Sequence, residues 1–212
     1  MVKKDLYILG AGGFAKEVYF LAKAVGVYNV KAFVDVHPGG SIRFAEVEIP
    51  VIGDVAMERA ELTNCCLAIG VGEPTIIERL MLKYQDRFEF PNLVHPSVIG
   101  DFENIELGRG NIVTANVVFT THIRVGNFNV FNLGTTVGHD VVIGDGNVIN
   151  PCVNISGGVS LGSYNLIGVG AIILQYKTIG SYSTVGAAAM VNADVESKTI
   201  VVGIPAKKMT RP

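Results

Sequence analysis

The second half of this chain carries an apolar repeat with a period of six, and this repeat limits the fold more than any other feature. Fifteen apolar residues occupy every sixth position without a break. A period of six matches neither the 3.6-residue period of an amphipathic helix nor the two-residue period of a strand. It matches a coil of three short strands, in which one residue of every six points inward. The fifteen residues are Leu107, Val113, Phe119, Val125, Phe131, Val137, Ile143, Ile149, Ile155, Leu161, Ile167, Ile173, Ile179, Val185 and Val191.

A longer period of eighteen residues runs through the same segment and equals three repeats of six. It consists of a glycine column and an asparagine column. Equivalent residues on successive coils of a parallel β-helix stack about 4.8 Å apart, so the asparagines can hydrogen-bond to one another. The glycines are expected at tight corners, where they tolerate a positive φ. The columns are Gly108, Gly126, Gly144, Gly162 and Gly180, and Asn111, Asn129, Asn147 and Asn165, with Ser183 next.

The first ninety residues have a different pattern, in which short apolar strands alternate with amphipathic helices. Residues 6–9 form an apolar strand that leads into a glycine-rich turn at residues 10–15 and a helix that ends near Gly26. A second strand covers residues 30–34, and a turn and a helix are expected between it and the next strand. This alternation predicts a small Rossmann-like α/β domain with a parallel sheet over residues 1–90.

The two patterns meet at a segment that interrupts any regular element. Pro91, Asn92 and Pro96 lie there, and prolines and asparagine are typical of turns and domain connections. We therefore predict an all-β helix domain over residues 91–200 and a C-terminal tail over residues 201–212.

Composition and charge argue against several classes of function. The formal net charge of −2 gives no reason to expect nucleic acid or an anionic membrane as partner. No apolar run approaches the roughly 20 residues that span a bilayer, and the N-terminal residues show no secretory pattern. The three cysteines form no metal or disulfide framework, and adjacent Cys65 and Cys66 suit a buried strand in a reducing compartment. We expect a cytoplasmic protein.

The glycine-rich turn is a candidate binding site for a phosphate group. Gly10, Gly12 and Ala15 follow a strand and open a helix, so backbone N–H groups can approach an anion at the helix N-terminus. Asp35 closes the second strand, where its carboxylate could accept hydrogen bonds from a ribose or a base. The spacing also fits NAD, but the helix domain offers no evident site for hydride transfer. A nucleotide diphosphate, NAD and a purely structural turn are the three alternatives.

His139 is the candidate catalytic base. It lies two positions after the inward-pointing Val137, so its side chain should point outward. Gly157 lies one coil above it and Gly158 lies above Asp140, which should leave room for an acyl group and offer an N–H group to a developing oxyanion. An imidazole can accept a proton near neutral pH, and Asp140 would orient the ring.

The other histidines are weaker candidates. His122 lies one coil below Asp140 and is the alternative base, while His95 and His37 are expected to be structural or solvent-facing. A lone histidine on the surface of a β-helix is commonly only solvated, so sequence context alone does not decide the role of His139.

These features together resemble the nucleotide-sugar acyltransferase family of hexapeptide-repeat enzymes. The resemblance rests on the glycine-rich N-terminal domain, the hexapeptide repeat, residues 137–140 (Val-Gly-His-Asp) and residues 202–208 (Val-Gly-Ile-Pro-Ala-Lys-Lys). The family includes the N-acetyltransferases of bacillosamine and perosamine biosynthesis and the sialic-acid O-acetyltransferase-like proteins. It implies a left-handed β-helix, a homotrimer, acetyl-CoA bound between neighbouring subunits, and a histidine base supported by an acidic residue.

The resemblance also implies roles for residues around the nucleotide sugar. Gly12, Gly13 and Phe14 fall where the family binds the nucleotide diphosphate, with Asp35 and Gly70 nearby. Many relatives have histidine where this chain has phenylalanine, so here the backbone alone would hold the phosphates. A further position, Asn132, matches an asparagine near the sugar acceptor, although it could equally be a turn residue.

A second set of residues is implied for the acyl donor. Val169 and Ala187, one coil apart, match positions whose backbone lines the CoA groove. Lys207 and Lys208 could bind the CoA phosphates or form a solvated charge pair. Relatives often have a second histidine nine residues after the base, and this chain has Val148 there, which removes one polar contact to the thioester.

The predicted function is N-acetylation of a nucleotide-activated amino sugar, with 4-amino-4,6-dideoxyhexoses as the expected substrate class. The amine attacks acetyl-CoA directly, His139 accepts its proton, and no metal is required. Cys152 as a covalent nucleophile is disfavoured, because it has a different phase in the repeat. The alternatives are O-acetylation of a sugar, a trimeric nucleotide-binding scaffold without catalysis, and a zinc carbonic anhydrase, for which the two histidines within the coils, His122 and His139, are too few.

Overall fold

The computed structural model describes residues 3–59 and 65–209. The N-terminal part is an α/β domain, as predicted. Its five strands form one sheet with the order β3-β4-β2-β1-β5, in which β1, β2, β4 and β5 are parallel and β3 is antiparallel to β4. The elements are β1 (Lys4–Leu9), α1 (Gly13–Val25), β2 (Tyr28–Val34), β3 (Ser41–Phe44), β4 (Val47–Ile52), α2 (Asp54–Arg59), β5 (Cys65–Ile69) and α3 (Pro74–Tyr84).

The hairpin formed by β3 and β4 was not predicted, because a turn and a helix were expected between β2 and β5. The helix exists as α2, but the hairpin precedes it. Its strands are short and half-exposed, and Arg43 of β3 pairs with Glu48 of β4. Ile49 is the one buried residue of these two short strands, and strands that bury so little have only a weak signature in the sequence.

The second half folds into a parallel β-helix with three faces, which confirms the predicted left-handed β-helix class. Each coil contributes one short strand to each face, and strands eighteen residues apart pair in register. Face 1 contains β6 (Leu93–Val94), β8 (Ile112–Val113), β11 (Val130–Phe131), β14 (Val148–Ile149), β17 (Leu166–Ile167), β20 (Thr184–Val185), β22 (Ile200–Val202) and β23 (Lys207–Lys208); face 2 contains β9 (Val118–Phe119), β12 (Thr136–Val137), β15 (Asn154–Ile155), β18 (Ile172–Ile173) and β21 (Met190–Val191); face 3 contains β7 (Ile105–Leu107), β10 (Ile123–Val125), β13 (Val142–Ile143), β16 (Ser160–Leu161) and β19 (Thr178–Ile179).

Three edges join the faces, and each edge is named here by the faces that it connects. Edge 1–2 comprises residues 114–117, 132–135, 150–153, 168–171 and 186–189; edge 2–3 comprises residues 120–122, 138–141, 156–159 and 174–177; edge 3–1 comprises residues 108–111, 126–129, 144–147, 162–165 and 180–183.

The interior of the β-helix matches the period of six. Fourteen of the fifteen apolar residues of the repeat are buried, and Leu107 in the first coil is partly buried against the same core. The asparagine column is also buried and forms a hydrogen-bonded ladder along edge 3–1. Oδ1 of Asn129, for example, accepts bonds from the backbone and side-chain N–H groups of Asn147, both at 2.9 Å. Each asparagine side chain therefore provides the hydrogen-bond acceptor for the buried N–H groups of the asparagine in the next coil.

The corner glycines stand where they were expected, but the reason given for them was wrong. The column that contains Gly108 and Gly126 has no positive φ. These glycines are needed because successive coils approach closely: a Cβ atom at Gly126 would lie 2.8 Å from the carbonyl oxygen of Gly144. The positive φ falls two residues later on each edge, often on residues other than glycine, such as His122 and Asp140.

The N-terminal domain covers face 1 of the β-helix. One continuous buried cluster contains strand residues of the α/β sheet together with the outward side chains of Ile112, Val130 and Val148. On edge 3–1, Tyr182 donates a hydrogen bond to Glu78 of α3 at 2.8 Å. Faces 2 and 3 and the edge between them are therefore left as the outer surface of the chain. The predicted domain boundaries at residues 90 and 200 stay a prediction, and the expected tail begins inside β22, which pairs with β20.

Candidate active site

The residues predicted to carry the chemistry lie together on edge 2–3. Val137 is buried in the core, and the side chains of His139 and Asp140 that follow it are 55% and 64% exposed. Nδ1 of His139 lies 2.7 Å from Oδ2 of Asp140. When Nδ1 carries the proton, it donates to the carboxylate, and Nε2 is then the nitrogen with a free lone pair. The pair therefore has the arrangement expected for an oriented base.

The imidazole of His139 packs directly against Gly157 of the next coil. A Cβ atom at Gly157 would lie 2.5 Å from Nε2 and 2.6 Å from Cε1 of the ring, and Gly157 is buried. The space that was expected here for an acyl group is not present, because the ring fills it. The N–H group of Gly157 has no acceptor in the described part of the chain, but the residue is covered while the ring lies there. An acyl group must therefore approach from outside the ring.

A cavity of about 460 Å³ opens on face 3 beside Asp140. His122, the alternative base, lines this cavity together with Glu103, Glu106 and Arg124. These three charged residues were not predicted from the sequence. A signal was available, because Glu106 and Arg124 occupy paired outward positions of face 3 on successive coils.

Two of the residues implied in the binding of the acyl donor lie on a different edge. Val169, which is 52% exposed, and Ala187 follow the coil glycines of edge 1–2. Asn132 is on the same edge two coils below and is buried, with 7% of its surface exposed. Face 2 separates this edge from edge 2–3. One chain by itself therefore does not bring these residues beside His139.

A second cavity of about 130 Å³ lies between α1 and edge 1–2. Phe20 and Leu21 of α1, His95 of the connector and Leu133 of the edge line it. The rings of Phe20 and His95 stack with their centroids 6.2 Å apart. His95 was expected to be structural or solvent-facing, and Phe20 and Leu133 were not singled out. The cavity adjoins the position of Asn132 and lies along α1, beginning at Glu17, one turn of the helix beyond Gly13.

The glycine-rich turn has the geometry of an anion site. Gly12 caps α1 without any side-chain hydrogen bond, and a Cβ atom at Gly12 or Gly13 would meet nothing within 4 Å. The first N–H groups of a helix lack intrahelical partners and attract anions. The turn lies at the carboxyl ends of β1 and β5, where the order of the sheet reverses, which is the usual ligand position of such sheets.

Three residues near the turn have structural roles that were not predicted. Asp35 accepts backbone N–H groups at both carboxylate oxygens, each at 3.0 Å: Oδ2 braces the turn at Ala11, and Oδ1 accepts the N–H of His37 in the loop after β2. A Cβ atom at Gly70 would lie 2.9 Å from Cα of Ala15, so this glycine allows β5 and α1 to pack closely. Phe14 packs partly buried against the domain core. None of these three structural roles contradicts nucleotide binding. For Gly70, however, close packing of β5 against α1 already explains why the residue is glycine.

Two further expectations concern the lysines and the cysteine. Lys207 and Lys208 are exposed in β23, and Nζ of Lys208 lies 3.8 Å from a carboxylate oxygen of Glu196. Cys152 is exposed on edge 1–2, whereas His139 is on edge 2–3. Within one chain the thiol therefore does not lie beside the imidazole. Among residues 3–59 and 65–209, no group of three or more metal-ligating side chains is assembled. No helix within these residues has the length and apolar character needed to cross a bilayer.

Comparisons with known proteins agree with the fold. Residues 5–83 match the family model described as the PglD N-terminal domain. A variant of perosamine N-acetyltransferase from Caulobacter crescentus, solved in complex with CoA and GDP-perosamine, is 31% identical. The two structures share a TM-score of 0.91 over 98% of this chain and 97% of that chain.

Two other solved structures are similar over nearly the whole chain. The acetyltransferase domain of PglB from Neisseria gonorrhoeae FA1090 is 29% identical, with a TM-score of 0.90 over 98% of this chain and 100% of that chain. WeeI from Acinetobacter baumannii AYE is 26% identical, with a TM-score of 0.85 over 96% of this chain and 99% of that chain. A search of the curated proteins gives no match.

The fold and the site define a hexapeptide-repeat acyltransferase. More specifically, the chain belongs to the nucleotide-sugar acyltransferase family of hexapeptide-repeat enzymes, as the similarity to perosamine N-acetyltransferase over almost the full length of both chains shows. The family assignment made from the sequence is confirmed.

Proposed function

We propose that this protein is an acetyl-CoA-dependent N-acetyltransferase that acts on a nucleotide-activated amino sugar, with 4-amino-4,6-dideoxyhexoses as the substrate class. The observation that carries the proposal is the exposed His139–Asp140 pair, with 2.7 Å between Nδ1 and Oδ2, on a scaffold that matches an N-acetyltransferase of this substrate class over 98% of the chain. The cytoplasmic location expected from the sequence stays a prediction.

The proposed reaction is a direct transfer. The lone pair of the sugar amine attacks the thioester carbonyl, and Nε2 of His139 accepts a proton from the amine as the nitrogen becomes positive. The tetrahedral intermediate collapses, the carbon–sulfur bond breaks, and the proton on the imidazole passes to the leaving thiolate. Asp140 holds the ring and stabilises the imidazolium that forms. The step requires neither a metal nor a covalent enzyme intermediate.

The proposed binding of the nucleotide uses the open N-terminus of α1. Gly12 and Gly13 leave space for the diphosphate, and the brace from Asp35 to the N–H of Ala11 keeps the turn in shape. The sugar then extends along α1 toward Asn132. This direction is supported by the small cavity between α1 and edge 1–2, which begins one turn of the helix beyond the glycines.

The proposed site is complete only when two chains meet. The nucleotide turn, Asn132, Val169 and Ala187 all lie on the side of edge 1–2, whereas His139 lies on edge 2–3. If edge 2–3 of one chain faces edge 1–2 of its neighbour, CoA is enclosed between them, with Lys207 and Lys208 near its phosphates. A contact between two different surfaces closes into a ring under a suitable rotation, and we propose a ring of three chains.

The activity is tested by release of CoA thiol from acetyl-CoA in the presence of UDP-, GDP- and dTDP-linked amino sugars. We expect turnover with at least one amine, and a loss of about 10²- to 10⁴-fold in kcat/KM for His139→Ala. His122→Ala is the matched control, since it removes the other histidine of edge 2–3. Mass spectrometry of the product distinguishes an amide from an ester. Nucleotide binding without any thiol release would favour the scaffold alternative and would refute the enzyme.

The shared site is tested by mixing two inactive variants. His139→Ala damages edge 2–3, and Gly12→Asp blocks the anion site on the other side by placing a carboxylate there. Co-expressed chains should form about a quarter of their sites from two intact halves, because each half is contributed at random. Recovery of activity to that level supports the arrangement. A mixture that stays inactive, although the chains associate, contradicts it.

A further inference from the structure

Tyr176 is an exposed aromatic residue on the same edge as His139, and no predicted role explains it. Its side chain projects from edge 2–3 with 71% of its surface exposed. A Cβ atom at Gly158 would lie 2.5 Å from Cε1 of its ring, so the ring lies flat on this glycine. Gly157, the preceding residue, contacts the imidazole of His139 in the same way. Consecutive Cα atoms are about 3.8 Å apart, so the two rings flank one short stretch of backbone.

An aromatic ring on a corner glycine occurs at two other places, and there the arrangement has a structural purpose. Phe128 lies on Gly110 and Tyr164 lies on Gly146, both on edge 3–1. Phe128 is 2% exposed and packs edge-to-face with Phe90 of the connector, at 5.1 Å between centroids. These rings hold the N-terminal domain against the β-helix.

The ring of Tyr176 has no such cover. It makes no ring contact or side-chain hydrogen bond with any other described residue, whereas Tyr164 stacks on Tyr182 at 5.2 Å. On edge 3–1 the N-terminal domain covers the outer side of the aromatic rings, whereas on edge 2–3 the outer side of the Tyr176 ring is uncovered. An uncovered aromatic face beside an oriented base is suited to an apolar group of the ligand.

We infer that Tyr176 is a specificity-determining residue whose ring forms one wall of the pocket for the acyl group of the donor and limits its length. The inference rests on the proposed function. The imidazole fills the space at Gly157 from the coil below, and the ring of Tyr176 contacts Gly158 from the coil above. We therefore place the acyl carbon outside the ring of His139, on the side of Tyr176. The ring of Tyr176 stands at the end of that short space. An acetyl methyl group fits against it, and each further methylene collides with it.

The experiment compares acetyl-, propionyl-, butyryl- and hexanoyl-CoA as donors for the wild type, Tyr176→Ala, Tyr176→Leu and Tyr176→Phe. A pocket wall discriminates about 10- to 200-fold per methylene. We therefore expect Tyr176→Ala to raise the ratio of kcat/KM for butyryl-CoA to that for acetyl-CoA at least tenfold, with a smaller rise for Tyr176→Leu. Tyr176→Phe keeps the ring and should keep the wild-type ratio. Tyr182→Ala is the control for loss of an exposed tyrosine elsewhere.

An unchanged acyl preference in Tyr176→Ala would overturn the inference. So would a uniform loss for all four donors, because that result assigns the ring to the CoA arm. Binding of acetyl-CoA and butyryl-CoA is measured in parallel by calorimetry without sugar. If the binding preference shifts in Tyr176→Ala but no amine is acetylated by the wild type, the proposed function fails and this inference stands. If the wild type binds neither donor, both fail.

Discussion

Gly157→Ala is the substitution that tests the role of His139 most directly. The added methyl group would lie 2.5 Å from Nε2 of His139, and ordinary contact begins near 3.4 Å. The imidazole must therefore move by about 1 Å, and a misplacement of that size can cost about 10²-fold in rate. Its 2.7 Å contact with Asp140 must also lengthen or break. We expect kcat/KM for acetyl transfer to fall about 10²-fold.

The same substitution should leave the fold intact. No positive φ is required at Gly157, and the atoms that the methyl group meets belong to the end of an exposed side chain, which can swing away. Alanine in place of glycine also lowers the entropy of the unfolded chain, which stabilises a protein by about 0.4–1 kcal/mol. The melting temperature, followed by circular dichroism, should stay within a few degrees of the wild type.

A double substitution separates this effect from any other. If the methyl group acts only by displacing the imidazole, it should change nothing further in a His139→Ala background, so the two changes are fully non-additive. The proposed role of His139 as the base is contradicted if Gly157→Ala alone retains wild-type kcat/KM. It is also refuted if the loss has the same size with and without the histidine.

Four other substitutions test the scaffold and the buried thiol. Asn147→Ala removes the acceptor for a buried backbone N–H group of the next coil, and we expect a loss of about 1–3 kcal/mol in urea unfolding; an unchanged midpoint would contradict the ladder. Gly70→Ala should cost about 1–3 kcal/mol because the new atom meets backbone, whereas Gly13→Ala meets nothing and should be nearly neutral in thermal melts. With a thiol reagent at pH 8, Cys66 should stay unreactive, because burial and a nearby carboxylate raise its pKa to about 11; fast labelling of Cys66 in a Cys152→Ser background would contradict this.

Much of the β-helix could be predicted from the sequence, because its geometry repeats. Each inward position meets the same surroundings in every coil, so the period of six identifies the core and the period of eighteen identifies the stacked columns. The asparagine ladder follows from the same argument. The family resemblance and the candidate base, His139, depended on short motifs placed within this frame.

The predictions that were wrong concern contacts between particular residues, which the periods of six and eighteen do not describe. Both Gly108 and Gly157 were correctly placed, but the pattern could not show that a neighbouring coil or an imidazole occupies the space left by the missing side chain. The same limitation applies to Asp35, which was expected to accept hydrogen bonds from a ribose or a base and whose carboxylate accepts the backbone N–H of Ala11 in the turn. The sequence shows that a side chain is small or acidic. Which atoms it contacts depends on how closely two backbone segments pack in the folded structure.

The three edges of the β-helix carry different features. Edge 3–1 holds the buried amide ladder and the aromatic rings that fasten the N-terminal domain, so it is closed by the chain itself. Edges 1–2 and 2–3 have no comparable ladder of side chains, and they carry the exposed Val169 on one side and His139 with Tyr176 on the other. A repeat that stacks identical coils can vary its edges without changing its core. The proposed chemistry therefore occupies the two edges that the folding of one chain leaves open.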